Sequence, residues 1–110
     1  MAIAWKRYTN PSAVNQGEDE SIAYTLTISG LETGETLTDI AVVAYDITGR
    51  GRVDVTATVL SGVAWALDNV ITLPALANLT PGRIYRIETL FRVDGYANVY
   101  ERYFFVTGEH

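Results

Sequence analysis

Apolar and polar residues alternate along much of the chain, most clearly in the segment 84–93, IYRIETLFRV. Tyr85, Ile87, Thr89, Phe91 and Val93 occupy every second position, and charged residues fill most of the positions between them. Successive side chains of a β-strand point to opposite faces, so this pattern predicts a strand with one buried and one solvent-facing side.

A turn is predicted immediately before this strand. Pro81 presets φ for the second position of a turn, and Gly82 tolerates the positive φ that a type II turn requires next. Leu79, Gly82 and Tyr85 have a spacing that resembles the tyrosine corner of immunoglobulin-like sandwiches, where a tyrosine hydroxyl returns to upstream backbone. We therefore expect the Tyr85 hydroxyl to bond to the backbone before the turn.

Shorter segments predict the remaining strands. In 21–29, Ile22, Tyr24, Leu26 and Ile28 alternate with small or polar residues, which indicates a half-buried strand. Further strands are predicted at 39–48, 53–59, 63–67, 70–73 and 99–107, with tight turns at Gly49-Arg50-Gly51 and Asp68-Asn69.

Three local predictions accompany these strands. Trp65, which shares strand spacing with Val63 and Leu67, is expected in the core. Pro74 ends the strand before it, because proline cannot donate to a ladder. Ala75–Leu79 is the one helical candidate, and it is long enough for a single turn only.

The segment 99–107 is apolar on both faces, with Tyr100, Phe104 and Val106 on one side and Val99, Tyr103 and Phe105 on the other. A strand of this kind either is central or has its outer face covered by a partner or by the N-terminal arm. The first residues, 1–12, are predicted to form that arm or an edge strand, with Asn10-Pro11 closing it.

Together these signals predict an all-β fold. Strands separated by turn signals every 8 to 12 residues or so are typical of a single immunoglobulin-like antiparallel β-sandwich, here of about seven to nine strands. The length of 110 residues fits one domain, 1–110.

The amino-acid composition does not favour an enzyme. There is no cysteine, and His110 is the one histidine, so thiolate and Ser-His or Cys-His nucleophiles are disfavoured. We expect no enzyme activity, no cofactor and no metal. The run Glu18-Asp19-Glu20 could contribute to a calcium site, but its spacing is not that of an EF-hand and a solvated loop explains it equally well.

Charge limits the partners. The net charge of −5 argues against nonspecific nucleic-acid binding, which depends on basic residues. No segment has the apolar length of a membrane span or the organisation of a signal peptide. Seven acidic residues but no Lys or Arg lie between Tyr8 and Gly49, and four Arg lie between 83 and 102, so the surface is either dipolar or interleaved by strand pairing.

Partner contacts are predicted for the N-terminal segment and one loop. Trp5, Arg7 and Tyr8 lie together near the start of the chain, where an aromatic anchor on a partner is as plausible as packing on the domain itself. Tyr96 lies in the loop 94–98, and loop aromatics often serve recognition.

Four segments together resemble small virion proteins of tailed bacteriophages that have immunoglobulin-like folds: DESIAYTLTISG, LTDIAVVAYD, LTPGRIYRIETLFRVDG and YERYFFVTG. The resemblance implies a structural viral protein made in the host cytoplasm and located on the virion. It implies a capsid decoration or cement protein on the capsid surface, bound to the major capsid protein or other virion subunits, with self-association into a homo-oligomer.

Two other functions remain open from the sequence. One is a tail, neck or baseplate module with the same fold. The other is a carbohydrate-binding or adhesin-like sandwich, which predicts that Trp5, Trp65 and Tyr96 share one open surface.

Overall fold

The computed structural model describes Ile3 and residues 7–110, in which ten strands and one helical turn are found. The predicted all-β fold is confirmed. The strands outnumber the predicted seven to nine because several ladders are interrupted into short pieces. The elements are β1 (Tyr8–Gly17), β2 (Thr25–Thr27), β3 (Leu37–Asp46), β4 (Val53–Asp54), α1 (Thr56–Val59), β5 (Leu60–Ser61), β6 (Trp65–Leu67), β7 (Val70–Thr72), β8 (Ala75–Leu76), β9 (Ile84–Val93) and β10 (Val99–Glu109).

Five strands form the larger sheet, in the order β1-β10-β9-β3-β4. The long strands β3, β9 and β10 pair antiparallel, but β1 pairs with β10 in parallel, with Tyr8 opposite Tyr103 and Gly17 opposite Glu109. The expectation of a purely antiparallel sandwich is therefore wrong at this edge. A parallel pair needs a long connection, which the intervening strands supply.

The second layer of the sandwich consists of two small sheets, β2-β7-β6 and β5-β8. Pro74 interrupts the strand that would otherwise join β7 to β8, as the sequence predicts. The two sheets remain connected, because Leu73 N–H donates to the Tyr24 carbonyl and Ile22 bridges to Leu76.

Residues of β9 form the centre of the core. Its five inward positions are at most 4 % exposed, and its outward positions are partly exposed, so the predicted alternation is confirmed. The inward face of β2 and its flanks shows the same alternation, and Ile28 is 2 % exposed.

The segment before β9 forms the predicted corner. Arg83 N–H donates to the Thr80 carbonyl at 3.2 Å, and Gly82 has φ +83°, which matches a type II turn. The Tyr85 hydroxyl accepts a hydrogen bond from Thr80 N–H at 2.9 Å. The predicted contact between the tyrosine and upstream backbone is therefore present.

Gly108 in β10 packs against the same corner. A Cβ atom at this position would lie 2.5 Å from the Thr80 carbonyl oxygen, which is closer than any side chain can approach. The backbone of Thr80 is thus held between the Tyr85 hydroxyl and the bare backbone of β10.

Residues 53–59 do not form the predicted continuous strand. The hairpin from β3 is present, but β4 ends at Asp54 and a helical turn occupies Thr56–Val59. The Asp54 carboxylate accepts a hydrogen bond from Thr56 N–H at 2.9 Å, and the Thr56 hydroxyl accepts one from Ala44 N–H at 3.0 Å. These bonds replace the ladder and redirect the chain towards the second layer.

Two further predictions are wrong in the second layer. Ala75–Leu76 forms β8 rather than a helical turn, because Leu76 pairs with Leu60 of β5 and with Ile22. Trp65 is 56 % exposed rather than buried. Its neighbour Ala66 pairs with the fully buried Ile71, and this register turns the alanine inward and the tryptophan outward.

At one edge of the larger sheet, β1 does not end at Asn10-Pro11, as predicted, but continues to Gly17. Proline is tolerated because β1 is an edge strand and has a bulge between Tyr8 and Ala13. Residues 8–12 lie in this edge strand. β10 is central in the larger sheet, between β1 and β9, which is one of the two predicted alternatives.

We expect Tyr85→Phe to lower the free energy of unfolding by about 1 to 2 kcal/mol, because Thr80 N–H loses its acceptor in a part-buried site. Urea denaturation measures the change. Tyr45→Phe, on the outer face of the larger sheet, is the matched control and should leave the midpoint nearly unchanged. Equal effects of the two variants would contradict a stabilising role for the corner.

Gly108→Ala should lower stability by about 2 to 3 kcal/mol, because the new methyl group meets backbone atoms that cannot move aside. Gly49→Ala is the control, since a Cβ there meets nothing within 4 Å. Thermal unfolding of both variants tests the contact, and a neutral Gly108→Ala would show that β10 and the corner are not in close contact.

Candidate partner surface

Arg7 and Tyr8, two of the predicted contact residues, lie where β1 joins the larger sheet. The Arg7 carbonyl accepts a hydrogen bond from Tyr103 N–H at 2.8 Å, and the Arg7 side chain is exposed. Tyr8 pairs with Tyr103 and is 49 % exposed. Trp5 lies outside the described residues. The backbone here is held by a strand, so both side chains are presented from a fixed position.

Tyr96 lies in the turn between β9 and β10 and is 45 % exposed. Its N–H donates to the Val93 carbonyl at 3.0 Å, and its own carbonyl accepts a hydrogen bond from Arg92 Nη2 at 2.8 Å. Arg92 Nη1 also contacts the Asp39 carboxylate at 2.7 Å. The negative charge of Glu35 raises the pKa of the Tyr96 hydroxyl. The turn is therefore braced against the loop that leads into β3.

These residues lie towards the same end of the larger sheet. β10 begins at Val99, directly after the Tyr96 turn, and meets β1 at Tyr103, four residues later. Four residues of strand span roughly 13 Å. We call Arg7, Tyr8 and Tyr96 the arm-tip surface.

A groove runs beside Tyr8, between the edge strand of each layer. Its volume is about 410 Å³, in the range of small-ligand and peptide clefts. Its lining combines apolar side chains with hydroxyl-bearing ones. The lining residues are Tyr8, Thr9, Pro11, Val14, Tyr24, Thr25, Leu26, Thr27, Ile28, Ser29, Arg102 and Phe104.

Arg102 is the charged residue in the groove lining. Its guanidinium lies 5.6 Å from the centre of the Phe91 ring, and Nη1 donates to the Glu101 carbonyl at 2.8 Å. Burial lowers the pKa of this guanidinium. The positive charge is thus partly shielded from water.

Gln16 holds the two layers together beneath the groove. It is 1 % exposed, and its Nε2 donates to the Leu76 carbonyl at 2.6 Å. Its Oε1 accepts a hydrogen bond from the Tyr24 hydroxyl at 2.8 Å. Sequence periodicity does not report the burial of Gln16, and the one signal that could have found it is the continuation of β1 past Pro11.

The outer face of the larger sheet is covered by a polar network centred on Arg86. Its guanidinium lies 3.9 Å from the Tyr103 ring centre, 2.7 Å from Glu88 and 3.1 Å from Glu101. Arg52 similarly covers Tyr45 at 4.4 Å and contacts Glu88 at 3.3 Å. The outward aromatic rings of β3 and β10 are therefore shielded within the chain itself.

Strand pairing interleaves the charges that are separated in the sequence. Asp39 contacts Arg92, and Asp46 contacts Arg83 at 2.9 Å, so acidic residues of the first half meet arginines of the second. The sequence is compatible with either a dipolar surface or charges interleaved by strand pairing. These two ion pairs are of the interleaved kind.

The described residues contain no group of three or more His, Cys, Asp or Glu side chains placed to hold a metal ion. In the acidic run, Glu20 Oε1 accepts a hydrogen bond from Gly17 N–H at 2.8 Å. Within the same part of the chain, no helix has the length and apolar character needed to cross a membrane.

Comparison with protein-family models, curated proteins and solved structures found no match for this chain.

The burial of the Tyr24 hydroxyl in the groove lining can be tested through the pH dependence of stability. Burial, and secondly the charge of Glu20, raise the pKa of its hydroxyl above the usual 10.0. A raised folded-state pKa contributes stability that is complete below the unfolded pKa and is lost as pH rises through the folded pKa. We expect the unfolding free energy to fall above about pH 10, and the fall to be smaller in Tyr24→Phe.

Urea denaturation across this pH range measures the difference in slope. Tyr45→Phe, measured in parallel, is the control for the loss of one phenol. An unchanged slope in Tyr24→Phe would mean that Tyr24 ionises as freely in the folded chain as in the unfolded one.

Proposed function

We propose that this chain is a non-enzymatic structural protein of a tailed-phage virion, a decoration or cement protein that binds major capsid subunits. The fold proposed is an immunoglobulin-like sandwich. The strand order β1-β10-β9-β3-β4 opposite β2-β7-β6 and the Tyr85 hydrogen bond support that assignment.

The observation that carries the proposal is the exposure of aromatic side chains on rigid backbone. Tyr8 lies in a paired strand and Tyr96 in a turn braced by Arg92, and each is nearly half exposed. Rigid aromatic residues give large contact area at low cost in conformational entropy, which is why they dominate protein recognition. The virion assignment itself comes from the resemblance of the four segments.

The proposed mechanism is binding without chemistry. Many copies attach across neighbouring capsid subunits through the arm-tip surface, with the groove beside Tyr8 receiving a segment of the capsid protein. A ligand that binds only the assembled shell stabilises it by mass action. The capsid then withstands internal pressure through added interface area.

We expect the purified chain to co-sediment with expanded phage heads that lack it, and these heads to withstand higher temperature afterwards. Tyr8→Ala and Tyr96→Ala should each weaken binding by about tenfold or more, because truncating a central aromatic contact costs about 2 kcal/mol. Val53→Ala, on the opposite edge strand β4, is the control and should bind normally.

Parallel assays with tail preparations and with a glycan array separate the alternatives. Binding to tails and not heads would identify a tail, neck or baseplate module. Binding to glycans alone would favour the carbohydrate-binding class, for which the exposed Trp65 is the relevant residue. Trp65 and Tyr96 lie in different layers of the sandwich, which does not favour one shared sugar platform.

A further inference from the structure

The outer edge of β6 is an unprotected strand edge. β6 pairs with β7 on one side only, and no other described strand pairs with it. Natural proteins usually protect such edges with proline, charge or a bulge. The segment 62–67, GVAWAL, contains no charged residue and no proline.

Backbone hydrogen bonds between β2 and β7 show which backbone groups face this edge. Leu73 N–H donates to Tyr24 and Ile28 N–H donates to Asn69, so the odd-numbered residues of 69–73 direct their backbone groups towards β2. The even-numbered residues, Val70 and Thr72, therefore face β6. Their partners Leu67 and Trp65 use their backbone groups within the hairpin, and those of Ala66 point to the free edge. Ala64 precedes β6, and continuing the strand in the same register would direct its backbone groups to that edge as well.

The side chains on the outer face of this edge are unusually apolar and exposed. Val63 is 85 % exposed, Trp65 56 % and Leu67 66 %. The neighbouring positions on β7 and β2, across from Trp65, are Thr72 and Thr25, which add no charge. By contrast, the edge strand β1 of the larger sheet carries Pro11.

The sequence of this edge reads nearly the same in both directions. Val63-Ala64-Trp65-Ala66-Leu67 places an alanine on each side of the tryptophan and an aliphatic residue beyond each alanine. An antiparallel partner of the same sequence therefore matches it position by position. In a two-fold symmetric interface both copies use the same patch, so in this register each apolar residue meets another apolar residue.

We propose that two copies of this chain pair edge to edge through β6, antiparallel, with the two-fold axis at Trp65. Ala64 of one copy exchanges backbone hydrogen bonds with Ala66 of the other, and the two Trp65 residues face each other as a non-hydrogen-bonded pair. Val63 lies opposite Leu67 of the second copy. The β2-β7-β6 sheet thereby becomes one continuous six-stranded sheet.

Charge agrees with this register. Asp68, which follows Leu67, lies opposite the uncharged Gly62 of the second copy and far from its own counterpart. No like charges meet, and the apolar outer face becomes continuous across the axis. This inference goes beyond the proposed capsid function and does not depend on it, since it concerns the purified chain alone.

Sedimentation equilibrium of the full chain tests the proposal. We expect reversible dimer formation between micromolar and millimolar concentration. Val63→Lys and Leu67→Glu should each be monomeric, because a charge meets an aliphatic residue, whereas an equimolar mixture of the two should form a heterodimer through the Lys–Glu pair. Val53→Lys, equally exposed but on β4, is the control and should dimerise normally.

A cysteine scan tests the register, because the chain has no cysteine of its own. Facing residues of a non-hydrogen-bonded pair have Cα atoms about 4.5 Å apart, within the range of a disulfide. Trp65→Cys should therefore form a disulfide-linked dimer on mild oxidation. In Val63→Cys the two sulfur-bearing residues lie roughly 13 Å apart, so it should remain unlinked.

Concentration-independent monomer for the unmodified chain would overturn the proposal. If Val63→Lys and Leu67→Glu both still form dimers, the interface lies elsewhere. If Trp65→Cys and Val63→Cys cross-link equally, this register is excluded. Circular dichroism of each variant shows whether it is folded, and the restored heterodimer shows that both single variants retain the native edge.

Discussion

Burial of one face of β9 is the constraint on which the rest of the fold depends. Its inward side chains lie at the centre of the core, and each fully buried large side chain contributes about 1.5 to 3 kcal/mol. The strand is also paired on both sides, with β3 and β10. A slip of one residue would place Arg86 and Glu88 in the core, so the corner at Thr80 and Tyr85 matters chiefly because it fixes where this strand begins.

The same alternation determines the character of the outer face. Arg86, Glu88 and their neighbours on β10 form a network that covers the outward aromatic rings. An apolar surface that would otherwise invite association is shielded within one chain. Tyr8, Tyr96 and the outward residues of β6 are among the apolar side chains that stay exposed, and the two proposals assign partners to them.

The sequence could predict the elements in which apolar and polar residues alternate sharply. In β9 and around β2, charged or hydroxyl residues occupy much of the outer face, and a shift of one residue would bury them. At β6 the alternation is between large apolar residues and alanine, which suits either environment, so the buried neighbour Ile71 decides and Trp65 faces outward. Residues 53–59 alternate equally well, but side-chain hydrogen bonds from Asp54 and Thr56 stabilise a helical turn that hydrophobic periodicity does not report.

The candidate surface was harder to predict than the fold. Arg7, Tyr8 and Tyr96 could be named as exposed types near turns, but their placement at one end of a sheet depends on the parallel pairing of β1 with β10. The groove depends on that pairing and on Gln16, whose burial follows from contacts with the second layer. Such contacts join residues distant in sequence, and a local pattern does not contain them.

The parallel pairing of β1 with β10 also constrains when the domain can become complete. The two strands come from opposite ends of the described chain, so β1 has no partner in the larger sheet until β10 has been synthesised. The pairing of β1 with β10 is therefore a long-range contact, and forming it costs more loop-closure entropy than forming the β9-β10 hairpin.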